Sequence, residues 1–106
     1  MTIAAWAIFI WAAALEVGGD ALIRKGLRSQ GILAILLGFL ALGCYGLVVN
    51  IVRWDFSKML GVYISFFALA SVLAGRYYFG ESIPTSTWIG LTLIIAGGII
   101  IQSGVR

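Results

Sequence analysis

The fold class this sequence predicts is an all-α integral membrane protein, a four-transmembrane-helix bundle, and three observations predict it. Hydrophobic residues make up 62% of the 106 and charged residues only 10%. No soluble domain of this size could cover so much apolar surface, because a small globule keeps a large share of its atoms in contact with water. The apolar residues fall into four runs close to the roughly 20 residues that cross a bilayer. The charges fall mostly between those runs, where lipid headgroups lie. One transmembrane domain covering residues 1–106 follows.

The first run, 3–23, reads Ile3-Ala4-Ala5-Trp6-Ala7-Ile8-Phe9-Ile10-Trp11-Ala12-Ala13-Ala14-Leu15-Glu16-Val17-Gly18-Gly19-Asp20 and continues to Ile23. It has no positive n-region, is too long for a signal sequence and carries Glu16 where a cleavage site would sit, so it is expected to stay as a mature helix. The second run spans 32–52 and the third 59–79. The fourth, 87–101, is the shortest, with about 15 to 17 strictly apolar residues, at the lower edge of what spans a bilayer. Trp54, Tyr77, Tyr78 and Trp88 flank the runs as interfacial anchors. The connections Arg24–Gln30, Arg53–Lys58 and Gly80–Thr85 are short, so successive helices run antiparallel.

An even number of spans puts both termini and the second connection on one side, with Arg53, Lys58 and Arg106. The other side carries Arg24, Lys25, Arg28 and Arg76. Orientation follows the difference in Lys and Arg between the two sides, and three against four scarcely chooses. Either other features fix the topology, or the chain inserts both ways up and pairs antiparallel with itself. Gly90 and Gly97, seven residues apart on one stripe of the fourth helix, suit a dimer seam or a close contact within one chain. Gly38, Gly43 and Gly46 in the second helix, and Gly61, Ser65, Ala68 and Gly75 in the third, read as contacts within the bundle.

The net charge of +3 is scattered over short connections, which excludes a nucleic-acid patch. Cys44 is the single cysteine and histidine is absent, so neither a disulfide nor a Cys/His metal centre is expected. No P-loop occurs. No cofactor and no enzymatic chemistry are expected, and uphill transport would need an ion gradient.

Glu16 is the residue that demands a function. A carboxylate inside a spanning helix costs a few kcal/mol on insertion scales, and the usual reasons for one are a proton, an ion or a charged substrate. Out of water the acid also holds its proton more tightly, because the charged form loses hydration. One site can then hold a proton or a cation but not both, which couples the two flows. Residues three and four apart share a helix face, so Phe9, Ala12, Ala13, Gly19 and Asp20 lie on the face of Glu16. The small ones leave room for a guest or a partner helix, and Phe9 either packs or offers its ring to a cation. Asp20 either pairs with Arg24 near the interface or serves as a second carboxylate of the site. Tyr63, Ser65, Phe66 and Phe67 on the third helix, and Tyr45 and Asn50 on the second, are candidate walls, with Tyr63 foremost.

Four short spans and a lone glutamate in the first resemble the small multidrug resistance transporters of the drug/metabolite transporter superfamily. The resemblance runs the length of the chain. It is carried by Leu15-Glu16-Val17-Gly18-Gly19 followed by Arg24, by Phe79-Gly80-Glu81, and by Gly90 with Gly97-Gly98. It implies an antiparallel homodimer in the bacterial inner membrane, with paired Glu16 residues binding protons and cations competitively, the third helix lining the pathway and Gly90 and Gly97 at the dimer contact. The chain departs from that family at the entry to the third helix. There Phe56-Ser57-Lys58-Met59-Leu60-Gly61-Val62-Tyr63-Ile64 replaces a Pro-x-Gly-x-Ala-Tyr-Ala-x-Trp-like run, so that Tyr63 stands where the family has Trp. Asp20 replaces a small or hydroxylated residue. A divergent branch of the group fits these departures. The expected activity is proton-coupled export of small or lipophilic cations. The alternatives are a small transporter or flippase subunit for polyamines or an amphiphilic metabolite, pairing with its own copy or another chain, and a non-transporting membrane scaffold.

Overall fold

In the computed structural model, residues 1–104 are described; Val105 and Arg106, the latter counted above in the charge balance, lie outside the described residues. All regular structure among them is helical: α1 (Ile3–Lys25), a π-helical turn (Gly26–Gln30), α2 (Ile32–Val49), α3 (Phe56–Tyr77) and α4 (Thr85–Gln102). At 1.5 Å per residue, the 23 and 22 residues of α1 and α3 reach about 33 to 35 Å and the 18 of α2 and α4 about 27 Å. All four are long and apolar enough to cross a membrane. Large apolar side chains such as Leu33, Phe39, Leu47, Ile89, Leu93 and Ile100 are exposed along them, as lipid-facing residues must be, and no charged or polar residue is buried among the described residues.

The chain divides into two helical hairpins, Thr2–Ile51 and the stretch from Val52 onward. In the first, α1 starts on Thr2, whose hydroxyl accepts the Ala5 amide at 3.1 Å. The basic stretch expected to form a loop instead prolongs the helix: α1 runs on through Lys25 and unwinds only in the π turn. Gly26 is buried, with Ile35 packed against it, and the chain reverses at Gly31, whose φ of 78° suits a residue without a Cβ. Close approach then holds α1 against α2. A Cβ on Gly38 would lie 2.7 Å from the Gly19 carbonyl oxygen, and one on Gly19 would lie 2.9 Å from Leu42. Small residues let membrane helices pack this tightly, where packing supplies most of their association. The second run ends earlier than expected, at Val49. Asn50 lies just beyond the helix, and its side-chain amide donates to the Gly46 carbonyl at 2.8 Å.

In the second hairpin α3 begins three residues earlier than expected. It closes with the Tyr78 and Phe79 amides on the Ala74 carbonyl and the Glu81 amide on that of Gly75, around Gly80 at φ 68°. Pro84, in the extended conformation its ring prefers, leads into α4. Ser65 Oγ donates to the Ile94 carbonyl at 3.2 Å and sits against Gly98, while Gly61 faces Ile101. Lys58 closes the hairpin from below, donating to the Gly104 carbonyl at 3.1 Å with its ammonium 4.7 Å from the centre of the Trp54 ring.

Candidate functional site

The buried residues of α1 are Ala5, Phe9, Ala12, Ala13 and Gly19. Their spacing traces a single stripe along the helix, and Glu16 lies on that stripe, between Ala13 and Gly19. The carboxylate is half-buried. The helix therefore carries its acid on the packed side, away from Ile10 and Trp11, which are exposed. Ala12 and Phe9, the neighbours one and two turns earlier, have no exposed surface at all.

The candidates sort into distinct roles. Asp20, one turn beyond Glu16, is exposed, as is Arg24 one turn further on. Gly19 is the seat of α2, in contact with Leu42 and the Gly38 carbonyl, so its smallness admits the neighbouring helix. Tyr45 on α2 is half-buried and close enough to Glu16 for their charges to interact. That pair joins two candidates from different helices within one hairpin.

On α3, Tyr63 is 2% exposed, among the most buried large side chains, with the Phe67 ring tilted against it at 6.4 Å. Phe66 is half-buried. Ser65 turns toward α4, and its hydroxyl is occupied by the Ile94 carbonyl. On α4, Gly90 and Gly97 have open space where a Cβ would stand, whereas Gly98 meets Ser65. The contact inside this hairpin thus runs through Gly98, a residue the reading of the sequence passed over; its signal was the Gly97-Gly98 doublet, which presents a small residue on two faces at once. Gly43 and Gly46 on α2 likewise leave open space where a Cβ would stand, unlike Gly38. Among the described residues no group of three or more His, Cys, Asp or Glu side chains comes together to hold a metal ion.

A carboxylate on the packed face of a spanning helix, with small residues and an aromatic ring along its stripe and a phenol on the neighbouring helix, can take up a proton or counter a cation in surroundings poor in water.

Similar proteins bear on this arrangement at the level of family. A UPF0060 membrane protein of Saccharopolyspora erythraea is 35% identical over 101 residues, covering 93% of this chain and 92% of the relative. One from Mycobacterium marinum is 33% identical over 99 residues (91% and 90%), and one from Streptomyces avermitilis 31% over 102 residues (94% and 91%). No family model and no solved structure matches the chain. The relatives bear a name other than that of the small multidrug resistance transporters, so they support a bacterial membrane protein family and not that transporter family in particular. With four helices able to span a bilayer and bacterial relatives that match it nearly end to end, the chain is a multi-pass membrane protein and belongs to the UPF0060 membrane protein family.

Proposed function

We propose that this protein is a proton-coupled antiporter that exports small or lipophilic cations, of quaternary ammonium or guanidinium type, through Glu16. The observation that carries the reading is the position of Glu16 on the packed stripe of a membrane-spanning helix, flanked by Ala12, Ala13 and Gly19. A carboxylate held there costs free energy that a purely structural helix has no reason to bear. Competition between a proton and a cation for that one acid provides the coupling, and no cofactor is required. The resemblance of Leu15-Glu16-Val17-Gly18-Gly19 to the small multidrug resistance transporters supports the same reading, as does the even balance of basic residues across the two sides. The working unit is an antiparallel homodimer whose subunits meet along α4. Gly90 and Gly97 are left open by their own hairpin and suit a close helix–helix seam. Tyr63 and Phe66 line the route on α3, with Tyr63 in contact with the substrate. Asp20, exposed one turn from Glu16, favours a second reading in which the substrate is a dication such as a polyamine.

Proton release on adding tetraphenylphosphonium, guanidinium or putrescine to protein in weakly buffered detergent tests the proposal. Wild type is expected to release protons with at least one of these, and Glu16→Gln with none. A wild type silent to the whole panel overturns the exchange mechanism. Release with putrescine alone, lost in Asp20→Asn, selects the dication reading. Leucine at both Gly90 and Gly97 is expected to abolish the cross-linked dimer; an undiminished dimer removes α4 as its seam.

A further inference from the structure

The contacts of the first hairpin fix its register. Gly26 lies against Ile35, Gly38 against Ile23, and Gly19 against Leu42. Each step of three or four residues down α1 is matched by an equal step up α2, as antiparallel helices packed on one seam require. One step past Gly19 and Leu42, the same register sets Glu16 opposite Tyr45. The next step sets Ala12 opposite Val49, and these are 0% and 1% exposed, so the seam stays closed beyond the pair. Tyr45 is half-buried like Glu16 and within reach of its charge. A phenol beside a carboxylate in a medium of low dielectric finds its strongest partner in that carboxylate, because a hydrogen bond to a charged acceptor is about twice as strong as a neutral one.

We infer that Tyr45 is the positioning residue of Glu16: its hydroxyl donates to the ionised carboxylate across the α1–α2 seam and holds the acid in one orientation. The functional meaning rests on the exchange reading above; the contact itself does not. An incoming cation takes the charge that the phenol had been sharing, and an incoming proton releases the phenol. The other ionisable groups near this face are few. Asp20 lies one turn along α1, Arg24, Lys25 and Arg28 lie two turns or more away at the end of the hairpin, and α2 offers only Cys44 besides Tyr45, with no charged residue.

The chain has two glutamates, Glu16 and Glu81, so carboxyl-labelled glutamate gives two carbon resonances whose titration can be followed in detergent without substrate. Losing a donor to the charged form raises proton affinity. Tyr45→Phe is expected to move the Glu16 midpoint upward by about one pH unit, tenfold in affinity, and to leave Glu81 where it was. Cys44→Ser, one position along and about 100° round the helix, is expected to leave both unmoved. Fluorotyrosine incorporation, which makes the phenol a stronger donor at nearly constant volume, is expected to move the Glu16 midpoint down, and only while Tyr45 is present. An unmoved or lowered midpoint in Tyr45→Phe overturns the assignment, as does an equal shift in Cys44→Ser or a fluorotyrosine effect that persists without Tyr45. Because the titration contains no cation, the predicted shifts together with a wild type silent to every cation would remove the exchanger and keep the Tyr45 contact.

Discussion

The two hairpins of this protein are built from similar residues and held together differently. In the first, α1 and α2 meet backbone to backbone, with Gly19 and Gly38 so close that each other's main chain fills the space of a side chain. In the second, α3 and α4 meet through side chains, with Ser65 on Gly98 and the Ile94 carbonyl, Ile101 over Gly61, and Lys58 on the Gly104 carbonyl. Backbone contact cannot yield without moving a whole helix, whereas a serine or an isoleucine can turn about χ1. The carboxylate therefore sits in the hairpin with the less adjustable geometry, as a site that must present one acid in one place requires.

The largest effect expected from this difference is at Gly38. An added methyl there meets the Gly19 carbonyl oxygen at 2.7 Å and the Ile23 amide nitrogen at 3.1 Å. Overpacking of this kind costs about 1 to 3 kcal/mol, against a helix-propensity gain for Gly→Ala of up to about 1 kcal/mol. Gly38→Ala should lose about 1 to 2 kcal/mol in equilibrium unfolding from mixed micelles, and Gly38→Val more. Wild-type stability in Gly38→Ala would show that the seam gives way and that the contrast between the hairpins is only apparent.

The next effect probes the adjustable hairpin by the same change. A methyl on Gly98 meets Ser65 Oγ, which can swing aside by giving up its bond to the Ile94 carbonyl, and Ser65 Cβ at 3.1 Å, which needs only a shift of a few tenths of an ångström. That bond is worth about 1 kcal/mol, close to the propensity gained. Gly98→Ala alone should therefore lie within about 0.5 kcal/mol of wild type, and in a Ser65→Ala background it should stabilise by up to about 1 kcal/mol. Strictly additive unfolding energies for the two substitutions would mean that Ser65 and Gly98 do not share one contact.

The same distinction explains what could be read from the chain and what could not. The four spans were legible because each is a run of apolar residues of membrane length, and Glu16 because it interrupts one. Most of the packed face of α1 was legible too, since Phe9, Ala12, Ala13 and Gly19 repeat at helical spacing, although Asp20, read on the same face, is exposed. The partners were not. Gly19 reads equally as room for a guest or as a seat for a helix, and its contact with Leu42 appears only once α2 is placed. Arg24-Lys25-Gly26 reads as a loop because it is charged and ends in glycine, yet Gly26 is where Ile35 packs and the turn waits for Gly31. That Ser65 donates to the Ile94 carbonyl cannot be read until α4 is placed. Tyr45 is one more polar group in an apolar helix until the register of the seam is known. Composition and period specify which residues a helix buries; they carry no information about which neighbour does the burying.

A small effect on stability is also expected at Lys58, and it bears on topology as well. Its ammonium joins the start of α3 to the end of α4, bonding the Gly104 carbonyl and lying over Trp54. The main-chain hydrogen bond is on the exposed side, where water competes, so Lys58→Met should lower stability by less than about 1 kcal/mol and Lys58→Arg by less still. A larger loss would mean that this contact, and not Ser65 on Gly98, holds the second hairpin closed. Lys58 is also one of only three basic residues on the side of the two termini, against four on the other. Lys58→Met leaves two against four, and the positive-inside rule then draws the four-residue side toward the cytoplasm. If the chain inserts both ways up, a reporter at either terminus, split between the two compartments in wild type, should move toward the periplasm in Lys58→Met, and Lys58→Arg should keep the split. A reporter that stays wholly on one side in all three proteins would show that orientation is fixed by something stronger than the balance of lysine and arginine, and an antiparallel pair could not then form from this chain alone.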